Sequence, residues 1–180
     1  FPKAYVDPCD NVAPLRQKPV VCAVQGITYT LGIELMLAAD VTIAASDCRF
    51  SQLEIKRGIL AFGGATLRMV ERAGWGNAMR YLLTGDEFDA QTALRLGFVQ
   101  EVVEPGQQTE RALAIARTIA EQAPLAVIAT RRNARKALVE GPDAAVAEFE
   151  KELHALLATE DMKEGVASFV ERRQAKFKGR

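Results

Sequence analysis

The sequence predicts a mixed α/β fold, and the order of elements in its first half supports this. A short apolar run, "PVVCAVQG", closes at Gly26 and is typical of a buried strand in a parallel sheet. An apolar helix that contains Glu34 follows, and a second strand is predicted from Asp40 to Ser46. Because strand, helix and strand alternate in this order, we expect a sheet with helices packed against it.

The remainder of the chain is predicted to be mainly helical. A turn at Asp47 and a short strand in "CRFSQ" come first. Three helices follow, and each ends near a glycine that favours a helix stop: Gly74, Gly85 and Gly97. The last strand candidate, "FVQEVVE", closes at Pro105, and we predict a core domain over residues 1–105 and a helical domain over 106–180. Breaks between four further helical segments are predicted at Pro124, Gly141–Pro142 and Thr159.

Charge and composition exclude several classes of function. Lys and Arg number 23, Asp and Glu also number 23, and the formal net charge of +0 argues against binding to nucleic acid or to a membrane surface. The cysteines Cys9, Cys22 and Cys48 form no CxxC motif and indicate reduced thiols in a cytoplasmic protein. No cluster has metal-ligand spacing, and the single histidine, His154, leaves no Ser/His/Asp scheme within this sequence.

One carboxylate stands in an apolar segment and requires a reason. Glu34 lies in "YTLGIELMLAAD", a helix predicted to be apolar nearly all round and therefore buried. Glu54 follows a predicted strand twenty residues later. The two acids are either unrelated, with Glu34 favoured by the helix N-terminus and Glu54 paired with a neighbouring cation, or a convergent pair that exchanges protons with a substrate.

A family resemblance favours the second interpretation. The segment from Lys18 to Met69 resembles the core of the enoyl-CoA hydratase/isomerase (crotonase) superfamily, with K-P-x-x-x-A-x-x-G, G-x-E-L-x-x-x-x-D and F-x-x-x-E-x-x-x-G in order. The C-terminal "EDMKEGVASFVERRQAKFKG" is similar to the end of that family. The resemblance implies a crotonase-like ββα spiral core, without its N-terminal part in this chain, followed by a C-terminal helical region that assembles homotrimers or hexamers.

The resemblance also implies a reaction and a set of site residues. The expected activity is hydration of a trans-2-enoyl-CoA thioester to a 3-hydroxyacyl-CoA, with no cofactor and no metal, within fatty acid β-oxidation in the cytoplasm. Glu34 and Glu54 match the two catalytic glutamates of the hydratase branch. The Leu31 N–H, beside Gly32, matches one oxyanion donor. Near the C-terminus, Phe169 and Arg172 resemble residues close to CoA.

Departures from the family pattern lead to further expectations. Thr30 and Leu31 stand where the family often has glycines, which reshapes the acyl pocket. The segment that carries the family's other oxyanion donor has no counterpart, so we expect a segment that precedes Phe1. The alternatives are another reaction of the superfamily, either double-bond isomerisation or acyl-CoA hydrolysis, and a non-catalytic subunit that binds CoA thioesters.

Overall fold

The structure is a computed structural model that describes residues 6–180. These residues form two compact units. The first unit contains the residues up to Arg16 together with Val20–Ile115, and the second contains Gln17–Pro19 together with Ala116–Arg180. The division falls within a helix, and the predicted domain ranges 1–105 and 106–180 remain a prediction.

The first unit contains short strands and helices in alternation. In chain order they are β1 (Val21–Val24), β2 (Ile27–Tyr29), α1 (Leu31–Ala38), β3 (Val41–Ala45), β4 (Arg49–Ser51), a 3₁₀ helix (Glu54–Arg57), α2 (Ala65–Ala73), α3 (Trp75–Thr84), β5 (Phe88–Asp89), α4 (Ala90–Arg95) and β6 (Glu101–Val103). The mixed α/β prediction is confirmed. The strands β2 and β5 were not predicted, because two or three residues are too few to show a period in the sequence.

Successive strands alternate between two sheets. One sheet has the order β1-β3-β6 with parallel pairs, and Val21 is opposite Val41 in its register. The other has the order β2-β4-β5, in which β2 is parallel to β4 and β5 is antiparallel to β4. Helix α1 starts two residues after the Tyr29–Ser51 pair and returns the chain to the first sheet. This places the N-terminus of α1 beside the end of β4.

The core of the first unit is closely packed around α1. Its largest fully buried side chains include Phe50, Phe98, Ile33, Met36, Leu37 and Met69. Helix α1 buries most of its surface, which confirms the apolar pattern read from its sequence. The ring of Phe88 stacks on Phe50 at 5.3 Å between centroids and joins β5 to this core.

The chain after β6 is helical. Its helices are α5 (Gln108–Ala120), α6 (Pro124–Glu140), α7 (Pro142–Val146), α8 (Phe149–Leu157) and α9 (Glu160–Glu171). Four segments were predicted, and that count is wrong because the third is divided into α7 and α8. The Glu148 N–H bonds to the Ala145 carbonyl at 3.2 Å, an i→i−3 bond that tightens the turn where no glycine or proline marks a break.

The C-terminal residues fold back onto the start of α9. The Thr159 side chain accepts a hydrogen bond from the Met162 N–H and caps the helix. Buried Asp161 accepts hydrogen bonds from the N–H groups of Lys178 (2.6 Å) and Gly179 (2.8 Å). Over residues 6–180, no helix taken singly has the length and hydropathy of a membrane span, and α5 with α6 reaches both only as a bent pair.

Candidate active site

The start of α1 is held in an unusual backbone conformation. Thr30 has φ 49° and ψ −115°, a region that a β-branched residue rarely adopts. Two hydrogen bonds fix it: the Thr30 N–H donates to the Ser51 carbonyl at 3.0 Å, and the Thr30 carbonyl accepts from the Glu34 N–H at 3.1 Å. The first helical N–H, that of Leu31, has no acceptor within the helix, as for every N–H in the first turn of a helix. Such an N–H group can stabilise an oxygen anion.

Gly32 lies where α1 packs closely on β2. A Cβ added at Gly32 would be 3.2 Å from the Thr28 Cγ2. A side chain there would therefore push the helix away from the strand. The predicted role of Gly32 beside the oxyanion donor remains a prediction, and the structure adds this packing reason for a glycine.

Glu34 is buried, with 3% of its surface exposed, and its carboxylate reaches the start of α2. Its Oε1 accepts a hydrogen bond of 3.3 Å from the Ala65 N–H, in the first turn of that helix. Its other oxygen, Oε2, lies only 2.4 Å from where a Cβ on Gly63 would be. The N-terminus of α2 therefore stabilises this buried carboxylate through a backbone hydrogen bond. The absence of a side chain at Gly63 leaves space for it.

Glu54 begins the 3₁₀ helix that follows β4, and it lies near Glu34. Burial raises the pKa of the Glu54 carboxyl, its own backbone N–H lowers this pKa, and the negative charge of Glu34 raises it. The Glu54 Oε2 is buried and has no hydrogen-bond partner among the described residues. The effect of the Glu34 charge on this pKa indicates that the two acids lie near each other, and their action as a convergent pair remains a prediction. The Oε2 of Glu54 can accept a bond from a substrate or from water.

A short segment joins the surroundings of the two acids. The Ile59 N–H donates to the Glu54 carbonyl at 3.2 Å, and four residues later Gly63 contacts the Glu34 carboxylate. Gly58, with φ 75°, ends the 3₁₀ helix in the left-handed region and turns the chain into this segment. We call residues 59–63 the bridging segment.

Cys9 and Arg68 support the Glu34 side of the site and were not predicted. The Cys9 Sγ lies 3.1 Å from the position of a Cβ on Gly63. Arg68 donates to the Cys9 carbonyl at 2.6 Å and to the Gly63 carbonyl at 3.3 Å. The pKa of the Cys9 thiol is raised, first by burial and then by the charges of Asp7 and Glu34. Arg68 follows the glycine pair Gly63–Gly64 within the segment that resembles the family, which was the available signal, whereas Cys9 lies outside that segment.

Phe169 and Arg172 lie at the end of α9, in the second unit. Phe169 is 84% exposed, and Arg172 ends the helix in the left-handed region with φ 53°. Their roles near CoA remain predictions. Within residues 6–180, no three side chains of the His, Cys, Asp and Glu types group closely enough to hold a metal ion.

Comparison with known proteins identifies the family. The family model described as Enoyl-CoA hydratase/isomerase matches residues 11–180. The chain belongs to the enoyl-CoA hydratase/isomerase family. Its similarity to solved structures confirms the crotonase fold: it superposes with a TM-score of 0.96 and 49% identity on a probable enoyl-CoA hydratase/isomerase from Mycobacterium abscessus, over 99% of this chain and 70% of that one.

Curated members of the family are similar over most of this chain. A probable enoyl-CoA hydratase of Rhizobium meliloti is 39% identical over 95% of the chain and 66% of its own length. The 2,3-dehydroadipyl-CoA hydratase of Escherichia coli is 36% identical over 91% of the chain and 64% of its own length. The chain thus spans about two thirds of the length of these relatives.

Proposed function

We propose that the protein hydrates the double bond of a trans-2-enoyl-CoA thioester and forms a 3-hydroxyacyl-CoA. The observation that carries the proposal is a pair of acids: Glu34 is buried, and burial together with the Glu34 charge raises the pKa of Glu54, whose Oε2 is buried without a hydrogen-bond partner among the described residues. Addition of water needs a base for the water and an acid for Cα, and two neighbouring carboxylates can divide this work. The family relationship supports the same reaction.

The environments of the two acids suggest how the roles divide. Glu34, solvated by the N-terminus of α2, orients the water and accepts its proton as the oxygen attacks Cβ. Glu54, whose pKa burial raises, retains a proton to higher pH and delivers it to Cα. The Leu31 N–H stabilises negative charge on the thioester oxygen, a contribution that typically changes rates by ~10²–10³ per donor. Neither step requires a cofactor.

Other features support a proposal about assembly and location. The apolar side chains exposed along α8 and α9 include Phe149, Leu153, Leu157, Met162, Val166, Phe169 and Val170. Stripes of this kind are usually covered by another subunit, and we propose a homotrimer or a hexamer formed from two trimers. We further propose a cytoplasmic enzyme of fatty acid β-oxidation, consistent with its unpaired cysteines.

Hydration of crotonyl-CoA, followed by loss of ultraviolet absorbance, tests the reaction. Glu34→Gln and Glu54→Gln keep the side-chain shape but remove proton exchange, and each should lower kcat by roughly 10²–10⁴. The double variant should lose little more than the worse single variant, since residues that act as a unit are non-additive. Glu71→Gln removes an exposed carboxylate from α2 and is the matched control.

The same variants separate hydration from isomerisation. Moving a double bond needs one group that carries a proton, whereas addition of water uses both acids. Near-normal hydration by Glu34→Gln would contradict the two-acid mechanism and favour a one-acid isomerase. Absence of turnover in the unaltered protein, with 3-hydroxyacyl-CoA still bound, would favour the non-catalytic subunit.

A further inference from the structure

The C-terminal end of α1 is held by guanidinium groups that belong to other parts of the chain. Arg72 Nη2 donates a hydrogen bond to the Leu37 carbonyl at 2.8 Å and another to the Ala39 carbonyl at 3.2 Å. Arg16 donates to the Ala38 carbonyl, which lies between them in the chain. The last carbonyls of a helix have no N–H partner within it, and α1 has no basic residue in its own last turn. The two arginines therefore supply the bonds that the end of α1 lacks.

Arg72 connects the end of α1 to two further segments. It lies in the last turn of α2, and its Nη1 donates to the Phe98 carbonyl at 3.2 Å. Phe98 is fully buried and precedes β6. Burial lowers the pKa of the Arg72 guanidinium, and the three carbonyl oxygens replace part of the hydration that it has lost. Arg72 is therefore fixed by the core of the first unit and ties the end of α1 to α2.

Helix α2 also holds the opposite end of α1. The Ala65 N–H, in the first turn of α2, donates to the Glu34 carboxylate at 3.3 Å, beyond the usual range of about 2.7–3.2 Å for such a bond. Glu34 and Leu31 both belong to the first turn of α1, and the side chain of its N-cap residue, Thr30, caps none of the described N–H groups. A hydrogen bond that is already long is weakened by a small displacement of either helix.

Resting on the proposed function, we infer that Arg72 is a positioning residue of the hydration site. It holds the last turn of α1 to α2 and so fixes the axial position of α1, and with it the Leu31 N–H and the Glu34 carboxylate. A helix of eight residues is only about 12 Å long, so a shift at one end moves the other. Arg72 acts at the end of α1 opposite to Glu34, and displacing a catalytic group by about 1 Å can cost about 10² in rate.

Arg72→Lys tests the inference, because lysine keeps the positive charge but lacks the planar fork that reaches several carbonyls at once. Hydration of crotonyl-CoA should lose roughly tenfold or more in kcat, with KM within about threefold, since the lost interaction acts in the transition state. Arg72→Gln, which also removes the charge, is a second variant and should lose at least as much. Arg111→Lys is the matched control: Arg111 makes two hydrogen bonds to Glu101, at 2.6 and 2.7 Å, in the same unit, and its loss should leave kcat within about twofold.

A double-variant cycle separates positioning from a general loss of stability. If Arg72 acts partly through Glu34, the change at Arg72 matters less once that carboxylate has been removed. In a Glu34→Gln background, Arg72→Lys should therefore lower kcat by a factor at least roughly threefold smaller than in the wild type. A merely structural role would lower kcat by the same factor in both backgrounds, and that result would overturn the inference.

Amide hydrogen exchange, resolved to single residues, gives a measurement that needs no turnover. In Arg72→Lys the Ala65 N–H should exchange roughly tenfold faster relative to the Ala78 N–H of α3, because its acceptor on Glu34 has moved. The Ala78 N–H bonds to the Gly74 carbonyl at 3.1 Å and reports any general loss of stability. Faster exchange confined to the Ala39 N–H, at the C-terminal end of α1, would show that Arg72 only caps the helix, and would refute its role in the site.

The two measurements keep this inference separate from the proposed reaction. Faster exchange at Ala65, in a protein that hydrates no enoyl-CoA, would contradict the hydratase proposal and retain the positioning of Glu34 by Arg72. Hydration that remains within about twofold of the wild type in Arg72→Lys would do the reverse.

Discussion

A methyl group at Gly63 should displace the Glu34 carboxylate and damage both stability and catalysis. In Gly63→Ala the new Cβ would lie 2.4 Å from Oε2 and 2.7 Å from Cδ of Glu34, and 3.1 Å from the Cys9 Sγ. Ordinary contacts begin at 3.4 Å, so the carboxylate must move by about 1 Å. Because Gly63, unlike Gly64 (φ 109°), is not in the left-handed region, the cost is steric and not conformational.

The expected magnitudes follow from that displacement. Overpacking of a buried site typically costs about 1–3 kcal/mol of unfolding free energy. A shift of about 1 Å in a catalytic group can cost about 10² in rate. Urea denaturation should report the first effect, and hydration of crotonyl-CoA at saturating substrate should report the second.

Two further variants test whether the contact between Gly63 and Glu34 causes these losses. Gly76→Ala, in α3, places a Cβ where no atom lies within 4 Å, and should be neutral or stabilise by roughly 0.5–1 kcal/mol without loss of activity. Combining Gly63→Ala with Glu34→Asp, which shortens the carboxylate, should recover part of the lost stability but not the activity. If Gly63→Ala keeps wild-type stability and a kcat within twofold, the contact between Gly63 and Glu34 is not what positions the acid.

Three more predictions concern strain and charge. Thr30→Gly should raise the unfolding free energy, measured by urea denaturation, by roughly 1 kcal/mol. The relief of about 1–3 kcal/mol of backbone strain outweighs about 0.5–1 kcal/mol of conformational entropy that glycine adds to the unfolded chain. Thr84→Gly, in helix α3, relieves no such strain and should lower the unfolding free energy. Burial raises the pKa of Glu54, so its contribution to stability is complete below the ordinary glutamate pKa and is lost as pH rises through the raised value. Glu54→Gln should therefore gain stability relative to the wild type as pH rises. A stability difference that stays constant across pH would contradict this. Arg173 lowers the pKa of Glu164 from 4.5 to about 2, so the stability that this carboxylate contributes above pH 4.5 is lost as pH falls toward 2. In Glu164→Gln, the unfolding free energy should depend less on pH between 4.5 and 2.

The sequence alone determined the features that depend on local pattern and composition. The apolar helix around Glu34, the strands on either side of it and the glycine-terminated helices up to Gly97 were all readable from periodicity and helix-stop signals, and the structure has them. The motifs between Lys18 and Met69, together with the C-terminal segment, were enough to identify the family, which the comparisons confirmed. These features could be predicted because hydrophobic periodicity and helix-stop signals are read from residues that are neighbours in the sequence.

Only the tertiary structure decided how the site is held together. Nothing in the sequence indicates that Ala65 solvates Glu34 from 31 residues away, or that Gly63 must lack a side chain for the same carboxylate to fit. The strain at Thr30 cannot be read from the sequence, because two hydrogen bonds fix this residue and one of them ties the start of α1 to β4. The coupling of Glu54 to Glu34 depends on their separation in space. Each of these features arises from contacts between elements far apart in the chain, and the fold has to form before they exist.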